Sequence, residues 1–145
     1  MKKISIVYWS GTGNTELMAK AIEEGLEDVQ VELLSVDKAS ITSVVESDGI
    51  ALGCPSMGAE ILEEDEMEPF VVELEKENIK GKAMILFGSY GWGDGEWMQD
   101  WEKRMKDAGV NLIEDGFIIQ EDTIDERLPE CKELAMRLAN FINNN

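Results

Sequence analysis

Residues 10–15, with the sequence SGTGNT, constrain the fold of this chain more than any other stretch. An apolar run (residues 4–9) precedes them, and apolar residues at helical spacing follow from Leu17 to Leu26. The segment is therefore predicted to be a turn between a strand and a helix. Such a turn directs several backbone N–H groups to one point, and the helix behind it contributes about half a positive charge. These features predict an anion site, and phosphate is the usual ligand.

The residues around Gly11 and Gly13 limit which class of phosphate-containing ligand the loop can bind. A nucleoside triphosphate loop requires a lysine after the second glycine, but Asn14 follows Gly13 and the next lysine is Lys20. A dinucleotide loop requires a third glycine, where this chain has Glu16. The loop is therefore expected to hold one phosphate monoester through Ser10, Gly11, Thr12, Gly13, Asn14 and Thr15. The alternative is an ordinary capped turn, because helix N-caps favour the same residue types.

Composition limits the chemistry that the side chains can perform. Histidine is absent, which removes the usual neutral-pH acid–base group and both Ser-His-Asp and Cys-His catalysis. Cys54 and Cys131 have no metal-type spacing, so two buried thiols are expected, with a disulfide between them as the alternative. The formal net charge of −18 argues against nucleic acid and anionic membrane surfaces. It favours basic protein partners, unless it serves solubility alone.

The length of 145 residues fits one domain, expected over residues 1–145. The apolar run after Lys3 has six residues, which is too short for a signal peptide. No stretch approaches the ~20 apolar residues of a membrane span. The protein is therefore expected to be cytoplasmic and to have no membrane partner.

Apolar runs alternate with helical patterns along the whole chain. Strands are predicted over residues 4–9, 29–36, 49–54 and 82–88, and a last strand over 112–113 and 117–119, kinked near Gly116. Helices are predicted over about 14–26, 40–45, 66–77, 97–108 and 128–142, with Ser40 as a cap, Gly109 as a stop, and Trp97 and Trp101 facing the core. This order predicts an α/β fold: a single doubly wound five-stranded parallel sheet, order 2-1-3-4-5, with helices on both faces.

Three loops of unusual composition follow predicted strands 1, 3 and 4, namely residues 10–15, 55–60 and 89–95. In a parallel sheet of this order, ligands bind beyond the carboxyl ends of the strands, where the strand order reverses. The first two loops flank that point and the third is adjacent to it. All three are therefore expected to form one site.

The second and third loops indicate what the phosphate is attached to. Met57 is a soft apolar side chain that suits the face of a planar ring, Gly58 lets its peptide take two orientations, and Glu60 can accept a hydrogen bond from a ring N–H. Four glycines frame Tyr90 and Trp92, and an exposed aromatic there is expected to stack on a ligand. The alternatives are a plain turn with an exposed acid, and a Trp92 folded back into the core.

These motifs resemble those of the flavodoxins, specifically the short-chain kind found in anaerobic bacteria. The matching segments are YWSGTGNT (residues 8–15), GCPSMG followed after one residue by Glu60 (residues 53–60), and FGSYGWGDGEW (residues 87–97). The resemblance covers essentially all 145 residues. It implies that the chain is a low-potential one-electron carrier with tightly bound FMN, not an enzyme. Such a carrier would shuttle between semiquinone and hydroquinone, pass electrons between redox proteins and act as a monomer.

The resemblance also implies roles for individual residues. Residues 10–15 would bind the FMN phosphate, Met57 and Trp92 would lie on the two faces of the isoalloxazine, and Glu60 would bind the flavin N3–H. The Met57–Gly58 peptide would turn its carbonyl toward N5–H when the flavin takes up one electron. The cofactor contacts expected from the second and third loops are Pro55, Ser56, Met57, Gly58, Ala59, Glu60, Ser89, Tyr90, Gly91, Trp92 and Gly93, with no metal site.

Partners and rival functions also follow from the sequence. Basic redox proteins, such as reductases and low-potential oxidoreductases, are the expected partners. The acidic stretch (residues 60–68) has six acids in nine residues and could dock them, with a solvated helix start as the alternative.

A small FMN-dependent reductase acting on a small molecule is the alternative function, although the chain leaves little material for a substrate pocket. A phospho-receiver domain is excluded, because Trp9 and Cys54 occupy positions where that class needs acids.

Overall fold

Strands and helices alternate through residues 1–144, the part of the chain that the computed structural model describes. The strands are β1 (Lys3–Tyr8), β2 (Gln30–Ser35), β3 (Gly49–Gly53), β4 (Ala83–Tyr90), β5 (Asn111–Leu112) and β6 (Phe117–Gln120). The helices are α1 (Asn14–Gly25), α2 (Ile41–Val45), α3 (Met67–Glu75), α4 (Glu96–Asp107) and α5 (Ile124–Asn143), with short 3-10 turns at Val36–Lys38 and Glu121–Thr123. The predicted alternation is confirmed.

Parallel ladders join the strands in the order β2-β1-β3-β4-β5, as predicted. In β1, Ile4 lies opposite Val31 of β2 on one side and Gly49 of β3 on the other. The strand order reverses at the β1–β3 pair, whose contact continues past the strands because Trp9 N donates to Gly53 O at 3.0 Å. The loops after β1 and β3 therefore start side by side at the carboxyl edge of the sheet.

The last strand differs from the predicted single kinked strand. β5 pairs with the start of β4, and β6 pairs separately with its end. Between them the chain leaves the sheet, where Gly116 N donates to the carboxylate of Glu102 on α4. Pairing with β6 also extends β4 through Ser89 and Tyr90, which the sequence analysis places in a loop.

Two apolar clusters fill the two faces of the sheet. α1 and α5 pack together over one face, and α2, α3 and α4 cover the other. β3 is buried along its whole length, which explains its continuous apolar sequence. Trp97 and Trp101 are each 1% exposed, so their predicted core position is confirmed.

Two predicted helix ends are also confirmed. The side chain of Ser40 accepts a hydrogen bond from Ser43 N at 3.3 Å and so caps α2. Gly109 follows the C-cap of α4 with φ +90°, a conformation that favours glycine.

Cys54 and Cys131 are free and buried, as the sequence predicts, and burial raises the pKa of each thiol to about 12. Both therefore stay protonated at neutral pH.

Among the helices of residues 1–144, none combines the length and apolar character that a membrane span requires. The same residues contain no cluster of three or more His, Cys, Asp or Glu that could hold a metal ion.

Candidate functional site

The first loop, residues 10–15, folds around the hydroxyl of Ser10. Its Oγ accepts hydrogen bonds from Gly13 N at 3.1 Å and from Glu16 N at 3.3 Å. Gly13 occupies the N-cap position of α1 with φ +102° and contributes no side-chain cap. The N–H groups of Asn14 and Thr15, the first two of the helix, have no intrahelical acceptor and are available to a ligand.

The side chains of this loop divide into outward and inward groups. Gly11 and Thr12 are exposed, whereas Thr15 is 1% exposed. The hydroxyl of Thr15 lies 2.9 Å from that of Ser89, which is also 1% exposed. This buried pair joins the first loop to the end of β4, so Thr15 and Ser89 fix the relative position of the two loops.

A cleft of about 160 Å³ separates the first loop from the second. It is lined by Trp9, Ser10, Gly11, Thr12, Thr15, Pro55, Ser56, Met57 and Glu121. The two loops therefore come together as the sequence predicts. Glu121 is missed by the sequence analysis, although it directly follows β6 and so belongs to the same edge of the sheet.

A larger hollow of about 630 Å³ lies on the other side of the first loop, toward the end of β2. Three acids, Glu16, Asp37 and Glu66, and one base, Lys38, line it, and this excess of negative charge makes it less favourable for phosphate than the narrow cleft. Glu16 accepts a hydrogen bond from Tyr8 OH at 2.8 Å, and burial together with this carboxylate raises the pKa of Tyr8 to about 12. The Glu16 charge thus lines this hollow and not the narrow cleft.

The second loop contains a tight turn over residues 57–60. Glu60 N donates to Met57 O at 2.7 Å, and Met57 N donates to Ile61 O at 3.1 Å. Neither Gly58 nor Ala59 has a positive φ, which is the backbone of a type I turn. Both residues are exposed at the tip, and a β-carbon at Gly58 would meet nothing within 4 Å.

The beginning of this loop is fixed against β4. Ser56 N donates to Ser89 O at 3.0 Å, and the Ser56 hydroxyl is 3.5 Å from Met57 O. Pro55 has no N–H to offer a ligand and contributes a wall of the cleft.

Glu60 connects the second loop to the third. Its Oε1 accepts a hydrogen bond from Gly95 N at 3.2 Å, and a β-carbon at Gly93 would collide with the same oxygen. Gly93 has φ +91°, a backbone conformation that favours glycine, and a side chain there would also displace the Glu60 carboxylate. No donor within residues 1–144 reaches the second carboxylate oxygen, which is free for a ligand.

The third loop presents an aromatic side chain to solvent. Trp92 is 65% exposed, so the alternative in which it folds into the core is wrong. Tyr90 is half-buried and packs on Trp97, with ring centroids 5.9 Å apart and planes tilted by 49°. Gly91 O accepts a hydrogen bond from Gln120 Nε2 at 3.4 Å, and a β-carbon at Gly91 would lie 3.4 Å from Oε2 of Glu121.

The acidic stretch is not one solvated surface. Glu68 pairs with Arg104 at 2.8 Å, and Glu63 is 5% exposed. Glu64, Asp65 and Glu66 are exposed and could face a partner.

Comparison with known proteins extends these observations. The family model described as Flavodoxin matches residues 6–134. The chain is 45% identical over 140 residues to a flavodoxin of Clostridium beijerinckii, covering 95% of this chain and all of that protein. It is 44% identical over 134 residues to the flavodoxin of Megasphaera elsdenii, covering 91% of this chain and 95% of that protein.

Solved structures agree with the sequence comparison. The solution structure of two-electron reduced Megasphaera elsdenii flavodoxin superposes with a TM-score of 0.84 at 43% identity, covering 94% of this chain and 98% of that one. A flavodoxin from the domain Archaea superposes with a TM-score of 0.88 at 31% identity, covering 97% of this chain and 99% of that one.

Proposed function

Because the chain belongs to the flavodoxin family and is an FMN-binding electron carrier, we propose that residues 1–145 form one domain whose three loops hold the cofactor. The observation that carries this proposal is the convergence of the three loops at one edge of the sheet: residues 10–15 and 55–60 line a cleft of about 160 Å³, and hydrogen bonds of Ser89 and Gly95 join residues 89–95 to both. FMN, when bound, supplies one-electron redox chemistry at its isoalloxazine ring.

The residues present fit the three parts of FMN. The free N–H groups of Asn14 and Thr15 at the start of α1 suit a phosphate, because the helix terminus adds positive potential. The cleft lined by Ser10, Thr12 and Glu121 has hydroxyl and carboxylate groups for a polyhydroxylated chain. Trp92, exposed without a local partner, supplies a stacking face that a flat ring would cover.

We assign Met57 to the second face of the ring and the free carboxylate oxygen of Glu60 to the ring N3–H. The carbonyl free to meet N5–H belongs to Gly58, since Met57 O already accepts from Glu60 N at 2.7 Å. The peptide that would turn is therefore Gly58–Ala59, one position later than the sequence analysis expects. The remaining expected contacts, Pro55, Ser56, Ala59, Tyr90 and Gly91, complete the walls.

The charges around the site favour the low-potential half of the redox range. No lysine or arginine lines the narrow cleft, and Arg104, the cation nearest the acidic stretch, is bonded to Glu68 and Glu75. Each carboxylate ~10 Å away opposes a new negative charge by roughly 0.4 kcal/mol in water. We therefore propose that the protein carries the second of the two electrons that the ring accepts. The net charge of −18 supports basic redox partners and a monomeric state, and the two free, buried cysteines support a reducing, cytoplasmic location.

Titration of cofactor-free protein with FMN tests this function directly. We expect saturation at one FMN per chain, with a yellow protein after removal of free flavin. The same protein should show no NAD(P)H oxidation unless a partner reductase is added. Oxidation of NAD(P)H by the purified protein alone would favour the reductase alternative, and the absence of FMN binding would contradict both functions.

Replacement of Trp92 by alanine is expected to weaken FMN binding about tenfold while leaving the free energy of unfolding of the cofactor-free protein unchanged. An aromatic stacking pair contributes about 0.5–1.5 kcal/mol beyond its buried area, whereas a side chain that is 65% exposed contributes little to the unliganded fold. FMN titration and urea unfolding measure the two effects. Trp92→Phe is the control and should recover most of the affinity; equal FMN affinities for wild type and Trp92→Ala would remove Trp92 from the site.

A further inference from the structure

Glu63 is a buried acid in an otherwise exposed part of the acidic stretch. It is 5% exposed, whereas Glu64, Asp65 and Glu66 are exposed. A carboxylate is costly to bury unless hydrogen bonds satisfy it. The position of Glu63 therefore requires a structural reason, and its contacts supply one.

The carboxylate of Glu63 collects three backbone donors. Its Oε2 accepts from Asp65 N at 2.8 Å, and its Oε1 accepts from Glu66 N at 2.7 Å and from Met67 N at 3.0 Å. Burial alone would raise the pKa of Glu63, but these three N–H groups hold that pKa below its usual range. Glu66, at the N-cap position of α3, makes no side-chain cap, so Glu63 performs this role from three residues earlier.

The backbone N–H and C=O groups of Glu63 also make hydrogen bonds. Glu63 N lies 3.4 Å from the sulfur of Cys54, the first residue after β3, and Glu63 O accepts from Glu68 N at 2.8 Å. Cys54 is itself fixed, because its carbonyl accepts from the indole N–H of Trp97 at 3.1 Å. Glu63 thus ties the end of β3 to the start of α3 and closes residues 54–63 into a ring.

The turn at residues 57–60 lies inside this ring. Within the described residues, the bonds from Glu60 N to Met57 O and from Met57 N to Ile61 O close this turn. The bonds from Ser56 N to Ser89 O and from Gly95 N to Glu60 Oε1 hold it to β4 and to the third loop. Glu63 supplies a further anchor at the end of the loop that leads into α3, so the orientation of Met57 and Glu60 also depends on it.

We propose that Glu63 is a positioning residue for the cofactor: it does not touch FMN, and it holds the ring of residues 54–63 so that Met57, Gly58 and Glu60 meet the flavin in a preset orientation. This proposal rests on the proposed function of the second loop. A preset loop lowers the ordering cost of binding. Because coupling between two sites is reciprocal, bound FMN must in turn strengthen the contacts of Glu63.

The test compares Glu63→Gln with Glu64→Gln and Ser40→Ala. Glu64→Gln removes the same charge from the adjacent exposed position, and Ser40→Ala removes the side-chain cap of α2, outside the three loops. We expect Glu63→Gln to raise the FMN dissociation constant about tenfold, the size of one lost charge-assisted hydrogen bond. It should also shift the first midpoint potential by about 20 mV or more, a twofold change in relative binding. Both controls should leave these values within error.

Each outcome decides the proposal. Equal changes in FMN affinity and potential for Glu63→Gln and Glu64→Gln would mean that Glu63 acts only through its charge. Equal changes for Ser40→Ala would mean that Glu63 acts only through the general stability of the fold. If Glu63→Gln does not fold, hydrogen exchange in the wild type decides: FMN should slow exchange at the amides of Asp65, Glu66 and Met67, and unchanged rates would overturn the proposal. Failure of the wild type to bind FMN would contradict the proposed function instead.

Discussion

Riboflavin, which lacks the phosphate of FMN, is expected to bind this protein about 10²–10⁴-fold more weakly than FMN. Two N–H groups at the start of α1, those of Asn14 and Thr15, remain free for the phosphate once Ser10 Oγ has taken those of Gly13 and Glu16. A hydrogen bond to a charged group contributes about 1.5–3 kcal/mol. Two such bonds therefore contribute about 3–6 kcal/mol, and each 1.4 kcal/mol is a factor of ten in affinity.

Calorimetric titration of cofactor-free protein with each flavin measures this ratio. Gly13→Val should lower FMN affinity toward that of riboflavin and leave riboflavin binding unchanged, because valine is strained at φ +102° and distorts the phosphate loop. Gly81→Val is the matched control: Gly81 also has positive φ and open space around a β-carbon, but it lies at the opposite edge of the sheet. A riboflavin affinity within tenfold of that of FMN would show that the loop does not hold the phosphate.

The local pattern of the sequence predicts much of this site because strand ends and loops are local features. The SGTGNT segment between an apolar run and a helical pattern places residues 10–15 at the carboxyl end of β1, and the structure has them there. The glycines around Trp92 leave it little to pack against, and it is exposed. These predictions need only the period of the hydrophobic pattern and the rule that ligands bind beyond the carboxyl ends of parallel strands.

The features that the sequence does not predict depend on contacts between distant residues. The pairing of Thr15 with Ser89 joins positions 74 residues apart. Glu63 looks like any other acid of the stretch until its three backbone donors are seen. At the break between β5 and β6, Gly116 N donates to the carboxylate of Glu102, which lies on a helix. The period of the hydrophobic pattern carries no information on such pairs. The sequence therefore predicts where the loops lie but not the long-range hydrogen bonds that hold them in place.

Replacement of Ala59 by glycine is expected to raise the first midpoint potential by about 40–80 mV. The bond from Glu60 N to Met57 O and the negative φ of both central residues describe a type I turn at residues 57–60. Turning the Gly58–Ala59 peptide while keeping that bond changes ψ of residue 58 and φ of residue 59, which gives a type II turn with a positive φ at residue 59. A left-handed conformation costs an L-residue other than glycine about 1–2 kcal/mol, and about 1.4 kcal/mol corresponds to 59 mV.

The sign follows from which turn carries the strain. Alanine at residue 59 is unstrained in the type I turn and strained only in the type II turn, whose Gly58 carbonyl would accept from the flavin N5–H, so glycine there would favour uptake of the first electron. Potentiometric titration of wild type and Ala59→Gly measures the shift. Gly58→Ala is the control, because residue 58 keeps a negative φ in both turns and a β-carbon there meets nothing within 4 Å, and it should shift the potential far less. Equal shifts in the two variants, or no shift in Ala59→Gly, would mean that the conformation of residue 59 does not set the first potential.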